Sequence, residues 1–134
     1  MSHGPDALSV VVFDGGFEKV HYALVLASAA AAVGKPVTLF FTGGALPALL
    51  PGGWTRLGGD PAARDADFAA RGIATFGELL DACRDLRVRF LACEMGLRAA
   101  GLDAAALDPE LGVEIAGAVT FLSDASATGA MLFI

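Results

Sequence analysis

The chain has 134 residues and a formal net charge of −6, and its isoelectric point is about 4.6. This length fits one domain, and the acidic balance argues against nucleic acid and anionic membranes, which are bound mainly through basic patches. The mean hydropathy of +0.62 indicates a large core or an apolar surface covered by other subunits. With two cysteines and two histidines, we expect neither a disulfide framework nor a protein-built metal site.

The first half of the chain predicts a strand–helix–strand unit. Residues 8–13, LSVVVF, form a β-branched run that ends in a turn at 14–16, and the alanine-rich residues 17–34 predict a helix that ends at a glycine. The apolar part of this helix is too short to cross a bilayer. A second strand is predicted at 35–44, so this unit predicts a parallel sheet buried on both faces.

The middle of the chain is rich in glycine, proline and charge. A short helix is predicted near 45–50 and a long mobile loop at 51–72, where prolines and paired glycines interrupt regular structure. We expect the loop to cover the site at the sheet edge without packing into the core, with Trp54 as a lid or as a plug in a subunit contact. A solvated surface loop far from the site is the alternative.

The second half of the chain predicts further strands with helices between them. The predicted elements are a helix at 75–86, a strand at 88–93, a helix at 94–101, a helical turn and a loop at 102–117, a strand or a helix at 118–129 and a closing strand at 130–134. Thr75 and Glu78 have the spacing of a capping box. Four or five strands thus alternate with helices, which predicts a single three-layer α/β domain over 1–134.

Ligands of doubly wound sheets bind where the parallel strands end, and three predicted turns lie there. These turns contain Asp14, Gly15 and Gly16, then Thr42, Gly43 and Gly44, and finally Cys93 and Glu94. The glycine turns match no phosphate-binding motif, so tight turns, with Asp14 capping the helix, are the simpler interpretation and an anion-receiving backbone is the alternative. His21 could approach the same edge, although a lone histidine here is more typical of a surface or an interface.

Cys93 is the strongest candidate for a reactive residue. At the N-cap of the helix at 94–101, its sulfur would face the free N–H groups of the first turn, which stabilise a thiolate together with the helix dipole. Glu94 opposes this effect, and Arg98 can partly neutralise its carboxylate. The alternative is that Cys93 is a small apolar residue that fills the end of a strand.

The other cysteine, Cys83, lies on the apolar face of the helix at 75–86 and is expected to be a core residue. This helix and the next strand run in opposite directions, so Cys83 should lie near the start of that strand and Cys93 at its far end. Five strand residues span roughly 16 Å, whereas bridged Cα atoms lie within about 7 Å. We therefore expect no disulfide between them.

The segments VRFLACEMGLRAAGL, 88–102, and GVEIAGAVTFLSDASATGAMLFI, 112–134, resemble the DsrE/DsrF-like sulfur-transfer family. Members place a cysteine directly after a strand, often as Cys-x-Met, before a helix that ends at Gly-(Ile/Leu). Residues 17–46 and 75–93 agree with the same family, so the resemblance covers nearly the whole chain except the loop at about 51–72.

The resemblance implies an α/β/α sandwich with a mostly parallel sheet of about five strands, and homo- or hetero-oligomers that are commonly trimers or hexamers. It makes Cys93 the sulfur-carrying cysteine and Met95 the last residue of its Cys-x-Met motif. Gly96 departs from the pattern, because close relatives tend to carry serine there.

These observations predict a small cytoplasmic sulfur carrier or sulfurtransferase. It would accept sulfane sulfur on Cys93 as a persulfide, pass it to a protein thiol and need no cofactor. Its partners would be sulfur donor and acceptor proteins and further copies of the chain. The alternative is a noncatalytic oligomeric module that binds a small anion or a protein partner at the glycine turns.

Overall fold

Five parallel strands form one sheet in the computed structural model, which describes residues 4–134. The strands are β1 (Leu8–Val12), β2 (Val37–Phe41), β3 (Arg89–Cys93), β4 (Glu114–Ala116) and β5 (Ala130–Phe133). Their order across the sheet is β4-β3-β2-β1-β5, and each neighbouring pair is parallel. This sheet confirms the predicted α/β class.

Helices connect the strands. The α-helices are α1 (Phe17–Ala32), α2 (Pro61–Ala70), α3 (Phe76–Asp85), α4 (Glu94–Ala100) and α5 (Ala118–Asp124), and 3₁₀ turns lie at Gly43–Leu49, Gly53–Arg56, Ala104–Ala106 and Pro109–Leu111. The capping box of α3 is confirmed: Thr75 Oγ1 accepts from the Glu78 amide at 3.2 Å, and Glu78 Oε1 accepts from the Thr75 amide at 2.9 Å. None of the helices within residues 4–134 is long and apolar enough to cross a membrane.

The main core lies between the sheet and the helices α1 and α3. Val10, Leu39 and Phe90 lie side by side in register on three adjacent strands and point to this face, where almost no solvent reaches them. Phe17 and Leu24 of α1 pack against them. Burial of side chains of this size stabilises the fold by about 1.5–3 kcal/mol each.

The opposite face of the sheet is covered by α5 over only part of its width. Phe40 and Cys93 pack there with Phe121, whose ring stacks on that of Phe40 with 4.8 Å between the centroids. Met131 and Phe133 of β5 lie on this face by register, and the side chain of Phe133 is 71% exposed. Part of the apolar excess of the sequence therefore lies on this surface.

The segment 51–72 contains regular structure, contrary to the loop that the sequence predicts. It holds a 3₁₀ turn and the helix α2. The proline that opens α2 is compatible with the helix, because residues of the first turn have no hydrogen-bond partner for their N–H groups within the helix. Leu57 is buried in the main core, and the ring of Trp54 stacks on Phe76 with 5.8 Å between the centroids. The expectation that this segment stays out of the core is therefore wrong.

The region between α4 and β5 differs from its prediction in one respect. The short strand β4 lies within 102–117, for which the sequence predicts a helical turn and a loop. Three residues at a sheet edge are too short for an alternating pattern to stand out. The residues after β4 form the helix α5, and the closing strand is confirmed as β5.

Candidate functional site

Cys93 is both the last residue of β3 and the N-cap of α4, as predicted. Its Sγ accepts a hydrogen bond from the amide of Gly96, with 3.4 Å between the two atoms. The residue is 6% exposed, so it lies just beneath the surface at the carboxyl edge of the sheet. One of the otherwise free N–H groups of the first helical turn thus points at the sulfur.

The charged residues beside Cys93 pair with each other. Arg98 donates to the Glu94 carboxylate at 2.7 Å across one turn of α4. Both side chains are well exposed, so water screens the pair and it contributes little to stability. Its effect is to balance the negative charge next to the cysteine, as predicted from the sequence.

Thr42, directly after β2, lies in the turn that the sequence predicts at this edge, but the sequence assigned it no role in the site. A Cβ atom added to Gly96 would lie 2.6 Å from Thr42 Oγ1 and 3.3 Å from Cys93 Cβ. The threonine hydroxyl therefore occupies the space where a side chain at position 96 would stand. No motif marks this residue, and only the pairing of β2 with β3 reveals its position.

A cleft of about 360 Å³ adjoins this turn. Met95 lines it and is 76% exposed, and Phe13, Thr42 and Gly43 line it from the neighbouring strand ends. Gly43 has a φ of +54°, and an added Cβ would lie 2.9 Å from the Phe13 ring, so this position requires glycine for the close approach. None of the side chains that line the cleft carries a charge.

The two glycine turns meet at the same edge of the sheet. A Cβ added to Gly15 would lie 2.9 Å from the carbonyl oxygen of Gly44, so the two backbones are in direct contact. The turns at 14–16 and 43–44 are thus brought together as predicted, and their glycines are explained by tight packing.

Asp14 does not cap α1, contrary to the prediction, because the N-cap is Gly16. Instead, Asp14 Oδ1 accepts from the Gly16 amide at 2.7 Å, a hydrogen bond that holds the pKa of this carboxyl below its usual range, with Lys19 adding to the effect. The Phe17 amide donates to the carbonyl of Gly58 at 3.0 Å. Two N–H groups that an anion would need are already occupied, which disfavours anion binding at this turn.

Cys83 lies on the other side of the sheet from Cys93, in the main core. It is fully buried, its Sγ donates to the carbonyl of Leu24 at 3.6 Å, and burial raises the pKa of the thiol to about 12. Both cysteines are free, in agreement with the expected absence of a disulfide. Within residues 4–134, no three His, Cys, Asp or Glu side chains are grouped to hold a metal ion.

Two further expectations need correction. Trp54 contacts Phe17 and Phe76 in the core on the α1 side of the sheet, so the structure does not place it over Cys93. His21 is not a surface residue: it is 5% exposed, and its Nε2 lies 2.8 Å from the carbonyl oxygen of Ala74. Both contacts join segments that are distant in sequence, so no local pattern reveals them.

The fold and the site together define a small parallel α/β domain with one cysteine held at a strand end and a helix N-terminus. The chain belongs to the DsrE/DsrF/DrsH-like family, which matches residues 60–133. Membership of this family implies a role in sulfur relay in general terms.

The comparison with solved structures finds six chains that match. The YchN protein from E. coli, known from a crystal structure, is 18% identical and superimposes with a TM-score of 0.59, covering 96% of this chain and 99% of YchN. At this identity the likeness shows a shared fold. The comparison with curated proteins finds no match.

Proposed function

We propose that the protein is a sulfur carrier or sulfurtransferase in which Cys93 holds sulfane sulfur as a persulfide. The observation that carries this proposal is the hydrogen bond from the Gly96 amide to Cys93 Sγ at the first turn of α4. A donor in this position stabilises negative charge on sulfur, in the thiolate that attacks and in the persulfide that forms. The cytoplasm suits this chemistry, because a free thiol persists in a reducing compartment.

The proposed transfer needs only thiol chemistry. The Cys93 thiolate attacks the outer sulfur of a donor persulfide, so a new S–S bond forms at Cys93 while the S–S bond of the donor breaks. The donor leaves as a thiolate and is reduced, and Cys93 is oxidised to the persulfide. Attack by an acceptor thiolate on the outer sulfur repeats the exchange and returns Cys93 to its thiolate, so no cofactor is consumed.

The surroundings of Cys93 suit this exchange in two ways. The uncharged cleft lined by Met95 and Thr42 offers an approach for the donor or acceptor without like-charge repulsion. The Glu94–Arg98 pair balances the carboxylate that stands beside the sulfur. The sulfur donor and acceptor are therefore expected to be proteins whose cysteine lies on an apolar or uncharged protrusion.

A sulfur-release assay tests this function. The protein is loaded with inorganic polysulfide, desalted and treated with cyanide, which converts sulfane sulfur to thiocyanate. We expect about one equivalent per chain from the wild type and from Cys83→Ser, and little from Cys93→Ser, because only Cys93 is placed to hold the sulfur. Equal release from wild type and Cys93→Ser would exclude Cys93 as the carrier.

We also propose that the chain forms a homo-oligomer, a trimer or a hexamer. Val119 and Leu122 are exposed apolar side chains of α5, the helix that covers part of this face of the sheet, and Met131 of β5 lies on the same face by register and is also exposed. We expect a second copy of the chain to cover these side chains, because most soluble oligomers are homo-oligomers and exposed apolar surface often marks a protein contact.

A further inference from the structure

A second cleft, of about 640 Å³, opens at the carboxyl ends of β1 and β5. The rings of Phe13, Tyr22, Phe68 and Phe133 line it, together with His21. β1 and β5 lie on the far side of β2 from β3, so this cleft lies away from the strand end that carries Cys93, and the ring of Phe13 stands between it and the cleft beside Cys93. It plays no part in the sulfur transfer proposed above.

The cleft lies outside the carboxyl ends of two adjacent parallel strands, which is the edge of a parallel sheet where ligands bind. At this edge the chain leaves β1 and enters α1, whereas β5 ends there.

His21 supplies a fixed polar group in this aromatic cleft. Its Nε2 lies 2.8 Å from the carbonyl oxygen of Ala74, and because a carbonyl only accepts, Nε2 carries the hydrogen. In the neutral ring Nδ1 then holds a lone pair. The packing of the imidazole against Phe68, with 4.7 Å between the centroids, and against Phe17 fixes the direction of that lone pair.

Nδ1 of His21 has no partner among residues 4–134, although the residue is 95% buried. Each fully buried side-chain nitrogen or oxygen in this part of the chain has a hydrogen-bond partner, so Nδ1 must be open to the cleft that the ring lines. Water can donate to this acceptor while the cleft is empty, and a ligand that displaces the water must supply a donor or leave the acceptor unpaired.

The charged residues at the rim compensate one another. Glu18 pairs with Arg64 at 2.6 Å, and Lys19 pairs with Asp14 at 3.4 Å. The carboxylates of Asp14 and Glu18 that line the cleft are thus engaged in ion pairs, and the rest of the lining is mainly aromatic, with His21 as its buried polar group. This combination favours a neutral ligand over a charged one.

We propose that this cleft binds an uncharged, planar aromatic molecule whose N–H or O–H group donates a hydrogen bond to His21 Nδ1. The exposed ring of Tyr22 supplies a face for stacking. His21 would select ligands that carry an N–H or O–H donor, because a ligand without one leaves the lone pair of His21 Nδ1 buried and unpaired.

Titration with two matched probes tests the proposal. Indole carries an N–H donor, and benzofuran has the same shape with an oxygen in its place. Binding to the whole protein is followed by NMR through the ring nitrogens of His21. We expect indole to bind saturably and to shift the Nδ1 resonance, and benzofuran to bind about tenfold more weakly through loss of one hydrogen bond.

Two variants locate the bound probe. Tyr22→Ala removes a stacking surface from an exposed position and should weaken indole binding several-fold, whereas Val33→Ala, at an exposed valine beyond the end of α1, should leave it unchanged. Equal affinity for indole and benzofuran, no saturable binding, or shifts confined to residues outside the cleft would overturn the proposal. Loss of indole binding as the protein self-associates would assign the cleft to a second copy and would also overturn it.

Discussion

The sulfur of Cys93 accepts a hydrogen bond from the backbone amide of Gly96, with 3.4 Å between the two atoms. The sulfur of Cys83 instead donates to the carbonyl oxygen of Leu24 at 3.6 Å. A donor favours the sulfur that carries negative charge, and an acceptor favours the protonated thiol. The two sulfurs therefore have opposite hydrogen-bond partners, a donor at Cys93 and an acceptor at Cys83.

Limited alkylation should therefore separate the two thiols. With iodoacetamide near neutral pH, we expect Cys93 to be labelled at least about tenfold faster than Cys83, because a thiol with a pKa of about 12 is almost entirely protonated there. Peptide mass spectrometry after a time course measures both rates. Cys83→Ser should leave the rate at Cys93 unchanged, and faster labelling of Cys83 would contradict the assignment.

The buried thiol of Cys83 also predicts how stability depends on pH. Burial raises its pKa from 9.0 to about 12, so its contribution is fully present below pH 9 and is lost as pH rises from 9 towards 12. Between about pH 8 and about pH 10, the free energy of unfolding should fall by about 1.4 kcal/mol more in the wild type than in Cys83→Ala. Urea titrations at both pH values measure this difference, and identical falls would show that the thiol ionises without penalty.

The close approach of Thr42 to Gly96 predicts coupling between these positions. Gly96→Ala should destabilise the protein by about 1 kcal/mol, because its Cβ would meet Thr42 Oγ1 at 2.6 Å, and Thr42→Ala should remove that cost. Gly77→Ala is the matched control, since Gly77 lies in the first turn of α3 with open space at its Cβ, so that the change should stabilise the helix. A double-mutant cycle in urea measures the coupling, and additive changes would contradict it.

The exposed apolar surface predicts self-association. Light scattering at micromolar concentration should give a trimer or larger for the wild type, and Val119→Asp or Leu122→Asp should shift it towards smaller species by burying a charge in the contact. Val33→Asp, at an equally exposed valine beyond the end of α1, should not change the oligomer. A wild-type protein that remains a 13.6 kDa monomer would contradict this proposal.

The elements that the sequence predicts well are those with strong local signals. The capping box of Thr75 and Glu78 marks the start of α3, and the apolar run before Cys93 marks β3 and thus the N-cap of α4. Cys93 lies at the N-cap because a strand ends and a helix begins there, and both boundaries can be predicted from the local sequence.

The features that escaped prediction depend on contacts across the fold. His21 is hydrogen-bonded to the carbonyl of Ala74 and packs against the rings of Phe17 and Phe68. Thr42 lies close to Gly96 because two parallel strands end side by side. The helix α2 was not predicted for a different, local reason. Its first-turn proline looks like a helix breaker but is compatible with the start of a helix.

Peptide mass spectrometry of the loaded protein tests the central claim most directly. After incubation with a persulfide donor and removal of excess reagent, the peptide that contains Cys93 should gain the mass of one sulfur atom, and dithiothreitol should remove it. The gain should persist in Cys83→Ser and vanish in Cys93→Ser. An unmodified Cys93 peptide from wild-type protein, or added sulfur on Cys83 alone, would contradict the account.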